Sequence, residues 1–216
     1  MKPKLLFCLA LVLSGLPAAN CAAAIIYPKE PDGGRQLVVE NTSRLLENDP
    51  RFLGGFRVEE LTVAEPFHCY TVGLTNLAAG KLLTAVGKSG SWQYLLLHGT
   101  NAVGAMQLMA DEKEGNTLKF NGLYQTDFSE QTLEALRIAE QLPQVKKQDY
   151  ELRRLDIPSI LFVAVWLHAK SDDIMIPLPP TFGRWSAYQP CSEERMIKLL
   201  KQEAKKKLRE PPGVGD

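Results

Sequence analysis

Three strand-like segments that follow one another with very short links are the feature that most constrains how this chain folds. The segments are Trp92–Leu97, Val103–Ala110 and Leu118–Tyr124, and the links between them are His98–Asn101 and Asp111–Asn116. A parallel pair of strands needs a crossover of a dozen or more residues. The three segments are therefore predicted to pair antiparallel, as a meander.

Patterns before this meander predict a helix and two more strands. A first helix is predicted from near Arg35 to Asp49-Pro50, because apolar residues recur at helical spacing and the residue before a proline leaves the α region. Phe56–Val63 and Phe67–Leu74 are predicted to form an antiparallel pair. Residues 76–87 fit either a short helix or a covering loop.

The second half of the chain repeats the order of helix, strands and helix. Ser129 is predicted as the N-cap of a helix that Pro143 ends, and Ser192 as the N-cap of an amphipathic C-terminal helix. Between these helices we predict three strands, the middle one buried on both faces. They are Asp149–Asp156, Ile160–Leu167 and Ile174–Leu178.

This order of elements predicts an α+β fold, with curved antiparallel sheet or sheets packed on helices and an amphipathic helix at the C-terminus. One helix followed by a four- or five-stranded meander is similar in outline to cystatin-like sheet-on-helix modules, and this analogy of fold carries no function. We expect residues 25–216 to form one α+β domain. A subdivision near residues 125–130 is the alternative.

Residues 1–24 predict a cleavable secretory signal. Lys2 and Lys4 precede the apolar run Leu5–Leu16, and small residues follow it. Gly15 and Pro17 interrupt this run before it reaches the roughly 20 residues of a transmembrane helix. We therefore expect a secreted or periplasmic protein, with an uncleaved anchor as the alternative.

Export also limits the roles of the four cysteines. Cys8 and Cys21 lie in the signal, which leaves Cys69 and Cys191 in the exported chain. In an oxidising compartment such a pair predicts a disulfide, and one that closes so long a loop would stabilise the fold by about 3–5 kcal/mol. Two separate buried thiols are the alternative, since a bridge needs close Cα atoms.

The three histidines do not have the spacing of a metal site. His68 adjoins Cys69, but neighbouring residues on a strand point to opposite faces, so the two cannot act together on one substrate unless the strand is bulged. A Cys69 nucleophile assisted by His98 or His168 is an alternative that we rank low, because no motif supports it. His168, Asp172 and Asp173 are acceptable metal ligands. Because aspartate is a preferred turn residue, we interpret this segment as a solvated turn instead.

The loop Leu178–Tyr188 gathers Phe182, Trp185 and Tyr188 around Arg184. Exposed aromatic residues beside an arginine are typical of recognition sites, so these four residues are the candidate recognition loop. Aromatic residues in a long loop more often form a plug that covers an edge of the core, and we rank that alternative first.

The C-terminal helix carries a run of basic residues beside its apolar stripe. A basic end complements the helix dipole, and docking on the sheet explains the stripe, so we rank contact with a membrane surface below docking. The basic residues are Lys198, Lys201, Lys205, Lys206, Lys207 and Arg209.

No motif assigns a chemical function. The sequence contains no nucleophile elbow, phosphate-binding loop or dinucleotide fingerprint, so we assign no catalytic, metal-binding or cofactor-binding residue and expect no cofactor. With 25 basic and 25 acidic residues, no global field attracts nucleic acid. We expect a noncatalytic exported module that binds a protein, a peptide or an envelope component through loops at one end of its sheet. A small extracytoplasmic hydrolase with a site assembled from distant residues is the alternative.

Overall fold

A mixed sheet of ten strands organises the protein. A computed structural model describes residues 24–80, 87–111 and 117–210. The predicted signal lies outside the described residues, except for Ala24. Within the described ranges, every helix is too short or too polar to cross a bilayer.

The described residues form four α-helices and ten strands. The helices are α1 (Gly34–Asn48), α2 (Leu74–Ala78), α3 (Thr126–Gln141) and α4 (Glu193–Lys207). The strands are β1 (Ile25–Ile26), β2 (Thr62–Val63), β3 (Phe67–Thr71), β4 (Gly87–His98), β5 (Asn101–Asp111), β6 (Thr117–Gln125), β7 (Tyr150–Ile157), β8 (Phe162–His168), β9 (Ile174–Pro177) and β10 (Cys191–Ser192).

The predicted meander is confirmed, and it forms one half of the sheet. The strand order is β10-β9-β8-β7-β3-β4-β5-β6, with β1 beside β7 and β2 beside β4. Neighbours along this order are antiparallel except for β3 and β7, which are parallel. The predicted α+β fold is confirmed, and the expected antiparallel sheet is a mixed, mostly antiparallel one. The long connection through α3 allows the chain to return and start β7 beside β3.

The predicted strand Phe56–Val63 is mostly absent. A 3₁₀ turn, Val58–Glu60, occupies the middle of this range, and a second 3₁₀ turn, Phe52–Gly55, precedes it. Leu53, Gly54 and Gly55 in the preceding turn have left-handed backbone angles, so no extended strand leads into Phe56. Only Thr62–Val63 forms a strand, and it pairs with β4 instead of β3.

The two faces of the sheet carry separate cores, which we call the α3 face and the α4 face. Alternation along the strands explains the separation. The α3 face buries Phe67, Leu95, Leu152, Val165 and Leu167 with Ala135 and Ala139 of α3. The α4 face has two clusters. One lies under α4 and contains Tyr70, Leu155, Trp166 and Met175. The other packs with α1 and contains Tyr94, Leu96 and Met106. Strand β8 is buried on both faces, as predicted.

The two predicted N-caps have different outcomes. Helix α3 begins at Thr126, so Ser129 lies inside its first turn, where it is buried and its hydroxyl lies 3.5 Å from the carbonyl oxygen of Ala102. Ser192 does occupy the N-cap position of α4, but its side chain makes no capping hydrogen bond.

The predicted disulfide is not present, because neither Cys69 nor Cys191 is bridged to another cysteine. Cys69 is buried on the α3 face beside Gln93, whereas Cys191 packs on the α4 face. They lie on β3 and β10, four strand positions apart. At about 4.8 Å per position the separation is about 19 Å, far beyond the roughly 7 Å limit for a bridge.

We therefore predict two alkylatable thiols. In the native protein Cys191 should react with iodoacetamide faster than Cys69, because burial raises the pKa of the Cys69 thiol to about 11. After unfolding without reductant, mass spectrometry should find both cysteines alkylated. Recovery of a peptide in which Cys69 and Cys191 are cross-linked would show that the fold described here is wrong.

Candidate functional site

The predicted recognition loop divides into a buried part and an exposed part. Trp185 is only 7% exposed and packs edge-on against Phe162, with 5.0 Å between ring centroids. Phe182, by contrast, is 66% exposed. Exposed Arg184 approaches Gln202 of α4 at 3.4 Å, while half-buried Tyr188 lines a separate cavity beside α3. The four residues therefore do not form one cluster.

The position of Trp185 depends on a glycine in the same loop. A Cβ atom added to Gly183 would overlap the Trp185 ring. The absence of a side chain at Gly183 therefore lets the Trp185 ring approach the backbone closely and pack under the loop. In this respect the alternative of a plug describes Trp185, while Phe182 is left at the surface.

Phe182 lines a small cavity together with Leu161 and two lysines of α4. We call Leu161, Phe182, Lys206 and Lys207 the tip surface. The cavity measures about 210 Å³. Its remaining lining residues are Ser159, Ile160, Gly183, Trp185, Glu203 and Glu210.

Leu161 has an unusual backbone. It follows the 3₁₀ turn Pro158–Ile160 with a φ of 50° and ψ of 43°, and its amide donates to the carbonyl of Pro158. Its side chain is nevertheless 63% exposed. The predicted strand Ile160–Leu167 included Leu161, and the signal for the turn was Pro158-Ser159, just before that predicted strand.

The tip surface lies at a basic end of the molecule. Residues 201–210 hold five basic and two acidic side chains, although the whole chain is formally neutral. The apolar stripe of α4, made of Met196, Leu200 and Ala204, is buried against the sheet. Docking of α4 and presentation of its lysines therefore use different sides of the same helix.

Asp173 lies at the centre of a buried hydrogen-bond cluster, so the interpretation of its segment as a solvated turn was wrong for this residue. Its carboxylate accepts hydrogen bonds from Nε1 of Trp166 at 2.7 Å, from Nδ1 of His168 at 3.0 Å and from the backbone amide of Ala169 at 3.0 Å. Its carbonyl accepts from the amide of Glu193, the first residue of α4. Asp173 therefore fixes the start of α4 as well as the orientation of His168.

Charged and aromatic side chains adjoin this cluster on the α4 face. Arg153 donates two hydrogen bonds to Glu151, at 2.8 and 3.2 Å, and these lower the pKa of the Glu151 carboxyl. The guanidinium lies over the rings of Tyr70 and Trp166, 5.1 and 4.9 Å from their centroids. These groups satisfy one another, which is the arrangement of a structural cluster.

Cys69 lies in a polar row on the opposite face. Arg154 donates to Oε1 of Gln93 at 2.6 Å and to Asp156 at 2.8 Å, and Phe128 covers its guanidinium at 4.0 Å. Burial is the main cause of the raised pKa of Cys69, and Arg154 opposes it. His68 lies on the other side of the sheet against Trp92, so the two neighbours do point to opposite faces.

A second cavity, of about 590 Å³, lies beside α3. Three carboxylates from one side of α3 line it, together with Arg137 and Tyr188. They belong to Asp127, Glu130 and Glu134. Arg137 lies 3.4 Å from Glu134 and donates to the carbonyl of Thr100 at 2.7 Å.

In residues 24–80, 87–111 and 117–210, no three histidine, cysteine, aspartate or glutamate side chains are placed to hold a metal ion. In comparisons with protein-family models, curated proteins and solved structures, none matched this chain. The support for a functional site is therefore the geometry of this chain.

Alanine substitution should lower the stability of the fold more at Asp173 than at its neighbour Asp172. Asp173→Ala leaves three donors without this acceptor, the buried Nε1 of Trp166 and the partly buried groups of His168 and Ala169, and should lower the free energy of unfolding by about 2–4 kcal/mol. Asp172→Ala, at an exposed position with one 3.4 Å contact to Tyr150, should cost less than about 1 kcal/mol. Urea denaturation measures both. Equal losses would disprove the central place given to Asp173.

Proposed function

We propose that this protein is an exported, noncatalytic module that binds a component of the cell envelope through its tip surface. The observation that carries the proposal is the pair of exposed apolar residues, Leu161 and Phe182, beside two lysines of α4. Export is inferred from residues 1–24. The similarity in outline to cystatin-like modules adds no site residue.

The backbone conformation at position 161 is energetically unfavourable for a leucine. A left-handed conformation costs an L-residue roughly 1–2 kcal/mol, and asparagine or glycine adopts it more easily. The exposed leucine side chain gains little from the core in return. A strained residue with an exposed apolar side chain is explained when that side chain is buried by a binding partner.

The size of the cavity favours docking over enclosure. Pockets that enclose a small molecule usually measure about 300–1,000 Å³, whereas the tip cavity measures about 210 Å³. Burying one leucine or phenylalanine side chain contributes roughly 1.5–3 kcal/mol. The two apolar residues of the tip surface can therefore supply useful affinity to a larger partner that covers them.

The titratable groups support a noncatalytic role. With a pKa of about 11, Cys69 is a neutral thiol at neutral pH and a poor nucleophile. Nδ1 of His168 is bonded to buried Asp173, and Arg153 is paired with Glu151. Neither cluster lines the two cavities described above.

A hydrolase remains the second candidate because the 590 Å³ cavity is large enough for a small substrate. Its three carboxylates all come from one side of α3, however, whereas a pair of catalytic carboxylates in a glycosidase flanks the scissile bond from opposite sides. Turnover of a chromogenic glycoside or ester that is lost in Glu130→Gln would favour this candidate.

The proposal predicts that the tip surface controls sedimentation with the native envelope fraction. Leu161→Asn should lower binding about tenfold, because the apolar contact is lost. The same change should leave the free energy of unfolding unchanged or raise it by up to about 1 kcal/mol, because asparagine tolerates the left-handed backbone. A loss of binding in Leu161→Asn could then not be attributed to misfolding.

A matched pair of substitutions provides the control. Phe182→Ser should lower envelope binding like Leu161→Asn. Phe120→Ser makes the same change at a residue that is 41% exposed on β6, at the opposite edge of the sheet, and should have no effect. If all three variants sediment like the unmodified protein, the tip surface is not the binding site.

A further inference from the structure

We propose that the envelope component bound by the tip surface is the surface of a bilayer that contains anionic phospholipid. This inference rests on the proposed function and names its partner. Leu161 and Phe182 would enter the boundary between headgroups and acyl chains, and Lys206 would contact the phosphates. Lys207, which pairs with Glu210 at 3.2 Å, would exchange that carboxylate for a phosphate.

The composition of the rim favours a lipid surface over a protein partner. Protein interfaces are enriched in arginine and depleted in lysine. The tip cavity is lined by two lysines, Lys206 and Lys207, together with Glu203 and Glu210, and Lys207 pairs with Glu210 at 3.2 Å. The same segment carries three further basic residues, Lys201, Lys205 and Arg209. Lysine acts as a point charge without fixed geometry, which suits a diffuse layer of phosphates.

The shape of the apolar part leads to the same partner. Leu161 lies at the turn between β7 and β8, and Phe182 lies in the separate loop after β9. Both are more than 60% exposed, while Trp185 behind them is buried. A stable protein interface needs roughly 800 Å² from each partner. Two exposed apolar side chains with a small cavity between them do not provide an area of that size. They can, however, insert into a bilayer.

The distribution of charge would orient the molecule on such a surface. The acidic residues Asp127, Glu130 and Glu134 belong to α3, which covers the other face of the sheet. The five basic residues at 201–210 belong to the end of α4 and the residues after it. A formally neutral chain with this separation is attracted to anionic lipid at the basic end only, and salt weakens the attraction.

Flotation with lipid vesicles tests the inference. The full sequence is expressed, and the unmodified protein and every variant are used in the form that the host produces. Any contribution of residues 1–24 to vesicle binding is then the same in all of them. Binding to phosphatidylglycerol vesicles should exceed binding to phosphatidylcholine vesicles by about tenfold or more and should fall as salt rises. Leu161→Asn and Phe182→Ser should each lower it about tenfold.

Charge reversal at two adjacent lysines provides the second arm. The double variant Lys206→Glu, Lys207→Glu should remove the preference for phosphatidylglycerol. The double variant Lys146→Glu, Lys147→Glu makes the same change at another exposed pair, between α3 and β7, and should keep the preference. If both double variants behave alike, the effect is one of net charge and the inference is overturned.

The vesicle and envelope experiments distinguish failure of the lipid inference from failure of the proposed function. If vesicles are not bound but native envelope is, and envelope binding still depends on Leu161 and Phe182, the partner is a protein or a glycan and the lipid inference is wrong. If neither vesicles nor envelope are bound, the proposed function itself is wrong. Equal binding to the two kinds of vesicle overturns the role given to anionic headgroups.

Discussion

The parallel pairing of β3 with β7 is the constraint on which the rest of the structure depends. It joins the meander β3–β6 to the second set, β7–β10, and makes one sheet of both. Arg154 strengthens this junction, because it reaches from β7 past β3 to Gln93 on β4. Removing one partner from such a buried charged cluster typically costs about 3–5 kcal/mol.

The position of the tip surface follows from this junction and from Asp173. Strand β7 ends at Ile157 and β9 ends at Pro177, at the same end of the sheet, so the turn with Leu161 and the loop with Phe182 leave the sheet side by side. Helix α4 starts beside Asp173, at the other end of β9. Its 15 residues span about 22 Å, which brings Lys206 and Lys207 to the tip.

Local patterns predicted most elements, but not what brings them together. Short links and apolar runs were sufficient for the meander and for β7–β9. Periodicity does not reveal that β7 returns to lie beside β3, because that choice depends on contacts between distant residues. Trp185 and Phe182 are three residues apart with similar hydrophobicity, and only tertiary packing shows that one is buried and the other exposed. The exposure of Leu161 was missed because the 3₁₀ turn Pro158–Ile160 delays the start of β8 to Phe162, whereas the apolar run begins at Ile160.

The central claim is that the protein binds through the tip surface. Hydrogen exchange of the protein, with and without phosphatidylglycerol vesicles, tests this most directly, because it reports on all backbone amides at once. The account predicts slower exchange in peptides that cover residues 158–167 and 181–190, with no change in residues 127–141 along the acidic cavity. Slower exchange along residues 127–141, with the tip peptides unchanged, would contradict the account.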